Sequence, residues 1–352
     1  MNSYNLNSSN SKLLKQNRPM IYGYTLYGAL FSIIEEKDLP WVYSNFTQIM
    51  YHDDWRMIIF EDHRNLLENC PFLEAEYLMF DEERENKCSF IDSIIYMIDH
   101  GYYAYLFLDI KILQEKAKHN LAHTTLISGY DKEKHIFYLS DNYDNGKYVT
   151  LEVDMDIVEQ AFHSAWTAST GNLHDNDNSP AFSYLRCITC FKYNNYVSSY
   201  FDKTKFTNQL ECFLNSDSTS LFKVNTKNNN RYGYLLYNVV NDILSGKLTL
   251  KLGERDFHII YEHKCMMKKR IEFLINKNII SPNDEFIRNS TSICNDFFVI
   301  RNLYLKSLFS HEKRREEIYL KMCEKINIAK ECEKVLYENI LFDIKRNKNI
   351  CI

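Results

Sequence analysis

The sequence predicts an α+β domain followed by an all-helical one. The chain has 352 residues, a length that suits two domains or three. Its 9 glycines and 5 prolines allow few tight turns, which favours helices and long strands over a sandwich of short strands. Helical and strand-like patterns mix in the first half, whereas the second half keeps helical spacing throughout.

Met1 to Ser11 is rich in Asn and Ser and has no apolar core, so it reads as neither a signal peptide nor an anchor. The expected division is a disordered tail over 1–18, an α+β domain over 19–195 and a helical domain over 196–352. Leu26, Ala29, Leu30, Ile33 and Ile34 define one face of a buried helix, with Thr25 at the N-cap position. A second helix is predicted from Ser89 to Asp99, stopped by Gly101. Strands follow over Tyr102 to Leu108, Leu121 to Tyr130, His135 to Asp141 and Tyr184 to Tyr193. Beyond the polar stretch 195–230, four helices are read. They are carried by Tyr232 to Ile243, Phe257 to Ile275, Ile293 to Phe309, and Ile318 to Ile340.

Composition excludes several classes of function. A net charge of −5 argues against a generic nucleic-acid binder. No apolar run approaches the roughly 18–20 residues of a membrane span. Without an export signal, the expected location is cytoplasmic, with the ten cysteines as reduced thiols. There is no phosphate loop, no dinucleotide fingerprint and no His-Glu-x-x-His.

The stretch from His123 to Asp141 carries the chemistry. A His opens one strand and an Asp closes its hairpin partner, so the two ends meet in space. If the register pairs 123 with 141, across a five-residue loop over Tyr130 to Lys134, both side chains share a face. A four-residue loop puts them on opposite faces. Together they would form a carboxylate-oriented base; apart, they are a strand-edge His and a turn Asp.

The hairpin resembles the His and Asp segment of papain-like enzymes. The branch in question is the bacterial one that holds double-glycine leader peptidases and butirosin-biosynthesis-H-like acyltransferases. A His, a short apolar strand, Gly129-Tyr130-Asp131, a charged turn, an apolar strand and Asp141 stand in that order. The helix–Gly–strand unit from Ser89 to Asp109 also fits. The helical second half, with Arg270, Arg301 and Glu333, resembles the acyltransferases rather than the peptidases.

This resemblance implies a papain-like cysteine peptidase fold followed by a helical domain. It also implies an amide-forming acyltransferase of nonribosomal-peptide-type, antibiotic-like biosynthesis. Such an enzyme moves an aminoacyl or peptidyl group from a carrier-protein thioester to a small amine. It implies no cofactor, phosphopantetheine entering only as part of the carrier-protein substrate, and no nucleic-acid or membrane partner. His123 would be the base and Asp141 its orienter. The family's nucleophile is a Cys at the start of the first buried helix, where this chain has Thr25. Gln16 and Asn17 are the candidates for an oxyanion donor.

Three explanations of Thr25 stand. It is a weak nucleophile, a mark of lost covalent catalysis with a retained binding cleft, or a substitution made to trap a complex. The alternative function is thus an inactive papain-like protein that binds a peptide-like ligand or scaffolds a biosynthetic complex. No other cysteine falls where the hairpin would use it. Cys187 and Cys190 have metal-pair spacing but lack a second pair; Cys265, Cys294, Cys323 and Cys332 read as fillers on helices. Tyr22, Tyr24 and Tyr27 line an acyl pocket or pack in the core.

Overall fold

Nearly continuous buried runs over Tyr102–Asp109 and Ala122–Asp131 form the centre of one large antiparallel sheet, seen in the computed structural model. It describes residues 10–61, 63, 66, 69–79, 88–113, 122–144, 146–170, 187–219 and 230–346. The described chain divides into two units. One comprises residues 1–35 and 67–197, the other residues 36–66 and 198–352. The chain passes from the first unit to the second for the last time after residue 197. The segment 36–66, expected in the first domain, belongs instead with the helical unit.

In the first unit the strands are β1 (Ser11–Leu13), β4 (Leu73–Met79), β5 (Tyr102–Asp109), β6 (Ala122–Asp131), β7 (Ile136–Asp144), β8 (Lys147–Asp154) and β9 (Cys187–Tyr193). The numbers β2 and β3 belong to Ile49–His52 and Met57–Phe60 of the second unit, and β10 to Arg231–Tyr232. The large sheet runs β4-β9-β5-β6-β7-β8, and every pairing in it is antiparallel. The predicted strand over 184–193 is described from Cys187 onward; residue 121 and the acidic run 81–83 lie outside the described residues.

The tail prediction needs correction. Ser11, Lys12 and Leu13 pair with Asp131, Tyr130 and Gly129, taking the edge of β6 beyond the end of β5. Gly129 makes this possible. A Cβ there would lie 2.4 Å from the Lys12 carbonyl oxygen, so any side chain would push β1 away. The glycine of the Gly-Tyr-Asp motif thus has a packing reason of its own.

Helix α1 (Thr25–Ile33) packs against β6 and β7. It is buried nearly all round, as an apolar run on both flanks requires. Its N-cap is Tyr24, not Thr25, and no side chain caps it. Helix α2 (Leu39–Ser44) belongs to the second unit. Helix α3 (Phe90–Asp99) follows the prediction closely: Ser89 caps it through the Asp92 N–H, and Gly101 adopts φ +84° just past its end. Helix α4 (Met155–Thr170) follows β8; neither element was anticipated. Phe90 of α3 stacks on Phe162 of α4 at 4.7 Å, over a core that includes Leu106, Leu108, Ile127 and Leu139.

Among the described residues, the second unit joins the three-stranded sheet β10-β2-β3 to α2 and five further helices. These are α5 (Lys203–Asn215), α6 (Leu236–Leu244), α7 (Glu254–Asn276), α8 (Asp284–Leu308) and α9 (Glu312–Arg346). Helix α5 lies in the polar stretch read as a boundary; Phe206, Leu210 and Phe213 bury its one apolar face. Arg270 and Glu333 are both fully buried. Arg270 Nε donates to the Tyr43 carbonyl at 2.7 Å, while Glu333 Oε1 meets Lys264 Nζ at 2.7 Å. Tyr337 donates to the same carboxylate at 2.6 Å, and Tyr237 also bonds to it. Two of the charged residues that shaped the resemblance are therefore internal struts. The third, Arg301, is partly exposed and reaches Asn302 at 3.3 Å. None of the described helices is long and apolar enough to cross a membrane.

Candidate functional site

The site residues are brought together by a bulge rather than by the loop. The β6–β7 hairpin closes on Asp131↔Ile136, leaving a four-residue loop, the length that by itself would separate the two side chains. Asp131 Oδ1 accepts the N–H groups of Glu133 and Lys134 at 3.0 Å each, and His135 takes φ 57° to finish the turn. A regular ladder from that loop would set Asp141 across from Leu126, on the face opposite His123. Between Ile127 and Gly129 the register shifts, with Ser128 as the extra residue. Beyond it Leu126 faces Ser140, so Asp141 falls across from Thr125, one pleat from His123 and on its side.

His123 Nδ1 lies 2.9 Å from Asp141 Oδ2, and Thr25 Oγ1 donates to Asp141 Oδ1 at 2.6 Å. Thr25, His123 and Asp141 thus form one cluster. Its order differs from the one implied by the resemblance: the carboxylate sits between the hydroxyl and the imidazole. Asp141 is 2% exposed and Thr25 5%, whereas the His123 side chain keeps 25% of its surface. His123 Nδ1 also lies 3.1 Å from the Thr124 carbonyl. Both neighbours of Nδ1 are acceptors, so that nitrogen carries a proton and, in the neutral ring, Nε2 presents the lone pair. Nε2 makes no hydrogen bond to any described residue.

Three tyrosines missed by the sequence reading surround the carboxylate. Tyr105, Tyr143 and Tyr148 all have hydroxyl pKa values raised, first by burial and further by the Asp141 charge. They stay protonated over the whole working range. Tyr143 shares a 2.7 Å hydrogen bond with Thr125. The Tyr148 ring lies over Gly28, where an added Cβ would approach it to 2.4 Å. Their spacing in the sequence is that of ordinary strand residues, so no local signal marks them. Of the tyrosines that were singled out, Tyr24 and Tyr27 are core residues packed edge to face at 5.7 Å. Tyr22 lines a cavity of about 380 Å³ together with Gln16, Arg18, Lys147 and Tyr148.

Gln16 and Asn17 do not reach Thr25. Asn17 Nδ2 donates to the Ile34 carbonyl at 3.0 Å, and Gln16 Nε2 reaches Ser32 Oγ at 3.4 Å. Both therefore serve the C-terminal end of α1. Thr25 stands at the other end, on the order of 10 Å away at 1.5 Å per helical residue. Cys187 and Cys190 lie three residues apart on β9, which directs their thiols to opposite faces. Cys190 is buried against Met97 Sδ. His135, Asp154 and Asp156 form the one group among the described residues with three ligand atoms close enough for a metal. It is an exposed cluster in which Asp154 caps α4 and His135 pairs with Asp156 at 3.1 Å.

No protein-family model matches the chain, and no curated protein sequence is significantly similar to it.

Proposed function

We propose that the first unit is an acyltransferase of papain-like type that forms an amide from a carrier-protein thioester and a small amine. One observation supports this above the rest. His123 is oriented through Nδ1 by a buried carboxylate while its side chain keeps a quarter of its surface open, an arrangement that suits a general base. In this reading the amine nitrogen attacks the thioester carbonyl and His123 Nε2 takes the amine proton. The imidazolium then returns that proton to the departing thiolate. Asp141 holds the imidazole tautomer and stabilises its charged form. Thr25 is a positioning residue: its hydroxyl is committed to Asp141 Oδ1 and holds the carboxylate in place. No acyl-enzyme is required.

The test is to incubate the full chain with an aminoacyl carrier-protein thioester and an amine, and to follow amide by mass spectrometry. His123→Ala should lower the rate by about 10²–10⁴, the usual worth of a general base. An unchanged rate in His123→Ala rejects the proposal. The second reading is an inactive papain-like binding protein, favoured by the hydrogen bond that occupies Thr25 and by the missing thiol. Tight binding of a peptide-like ligand that survives His123→Ala, without turnover, selects it.

A further inference from the structure

Helices α7 and α8 are consecutive, joined by a short turn, and packed along their length. Cys265 sits about as far before the end of α7 as Cys294 sits after the start of α8. An antiparallel pair therefore brings them to the same level. Their sulfurs are 3.0 Å apart, and neither residue is fully buried. Of the other cysteines, Cys88 and Cys332 are exposed, whereas Cys70 and Cys190 are buried. The two thiols are also chemically unequal. Cys265 is drawn down to about 7, chiefly by its hydrogen bond from Cys294, with help from Tyr261 and Lys269 against the effect of burial. Cys294 is pushed up by the same contact. The same contact lowers one thiol and raises the other, so Cys265 gives up its proton more readily than Cys294.

We propose that Cys265 and Cys294 are a dithiol modification site, converted to a disulfide by small-molecule disulfides of the glutathione class. The Cys265 thiolate attacks one sulfur of glutathione disulfide, forming a mixed disulfide and expelling a glutathione thiolate, which takes up a proton. The Cys294 thiol then loses its proton and attacks the Cys265 sulfur. That step breaks the mixed disulfide, forms the Cys265–Cys294 bond and releases the second glutathione. Overall two protein thiols are oxidised and one glutathione disulfide is reduced to two glutathiones. The sulfurs need approach by only about 1 Å to reach bonding distance, and half-exposed sites admit the reagent. This site lies in the second unit and does not depend on acyl transfer in the first.

The experiment uses the full chain, reduced and then exposed to graded mixtures of reduced and oxidised glutathione. Free thiols are blocked, and peptides are mapped by mass spectrometry. The expected result is a Cys265–Cys294 linked peptide, two hydrogens lighter than the reduced pair, that appears before any other of the ten cysteines reacts and disappears with dithiothreitol. Cys294→Ser should instead accumulate a glutathione adduct on Cys265, because the resolving thiol is gone. Cys265→Ser should leave Cys294 unmodified. Reaction of Cys88 and Cys332 ahead of a silent Cys265–Cys294 pair in the wild-type chain overturns the proposal. Protection of both thiols that a chelator lifts also overturns it, in favour of a bound metal.

Discussion

Replacing Thr25 by Val keeps the shape of the side chain and removes one hydrogen-bond donor. That donor serves Asp141 Oδ1 at 2.6 Å, between two residues that are 5% and 2% exposed. A hydrogen bond to a charged acceptor contributes about 1.5–3 kcal/mol, and both partners here are buried. For a unit of this size that is a fall of about 3–12 °C in the melting temperature. Thr25→Ser keeps the donor and should lose far less. Thermal and urea unfolding followed by circular dichroism measure both. In the amide assay Thr25→Val should retain turnover, reduced only as far as Asp141 loses its hold on His123. If Thr25→Val unfolds like the wild type, the hydrogen bond is not the strut described here. If it abolishes turnover that Thr25→Ser keeps, Thr25 is a nucleophile and the positioning role is wrong.

The Lys264–Glu333 pair is 1% and 0% exposed, so Glu333→Leu leaves a buried ammonium without its counter-charge. A loss of about 3–5 kcal/mol is expected in urea unfolding, and the double variant Lys264→Met with Glu333→Leu should recover most of it. His263 donates through Nε2 to the Thr47 carbonyl at 2.8 Å and accepts from Lys264 at Nδ1. Burial, then the Lys264 charge, hold its pKa well below the usual 6.5. The unfolded chain therefore binds a proton that the native state refuses. The stability His263 contributes is complete above pH 6.5 and falls as pH drops below it, a trend that His263→Gln should flatten in a pH series of unfolding curves. Gly28→Ala drives a methyl into the Tyr148 ring and should cost about 1–3 kcal/mol, largely relieved by adding Tyr148→Ala. Gly129→Ala should detach β1, seen as faster hydrogen exchange over residues 11–14 with the rest of β6 still protected.

Periodic apolar spacing marked α1, α3 and the four last helices, because each buries a stripe that its own sequence repeats. It missed β8 and α5, where polar residues dominate and only a narrow face is covered. The N-terminal tail looked disordered because Ser11 to Leu13 has no core of its own; β1 exists because β6 offers an unpaired edge and Gly129 lets the backbone in. Likewise residues 36–66 carry no composition break, and only contact with the later helices assigns them to the second unit.

The sequence by itself named Thr25, His123 and Asp141, with a hydroxyl where the resemblance implies a thiol. Those are properties of residue identity and order along the chain. Only the tertiary structure decided how the three meet. Loop length alone would have separated His123 from Asp141, and the one-residue bulge at Ser128 restores their common face. Packing of α1 against β6 and β7 then aims Thr25 at the carboxylate rather than at the imidazole. A strand's parity and a hydroxyl's partner both depend on contacts between segments distant in sequence, and such contacts leave no local pattern to read.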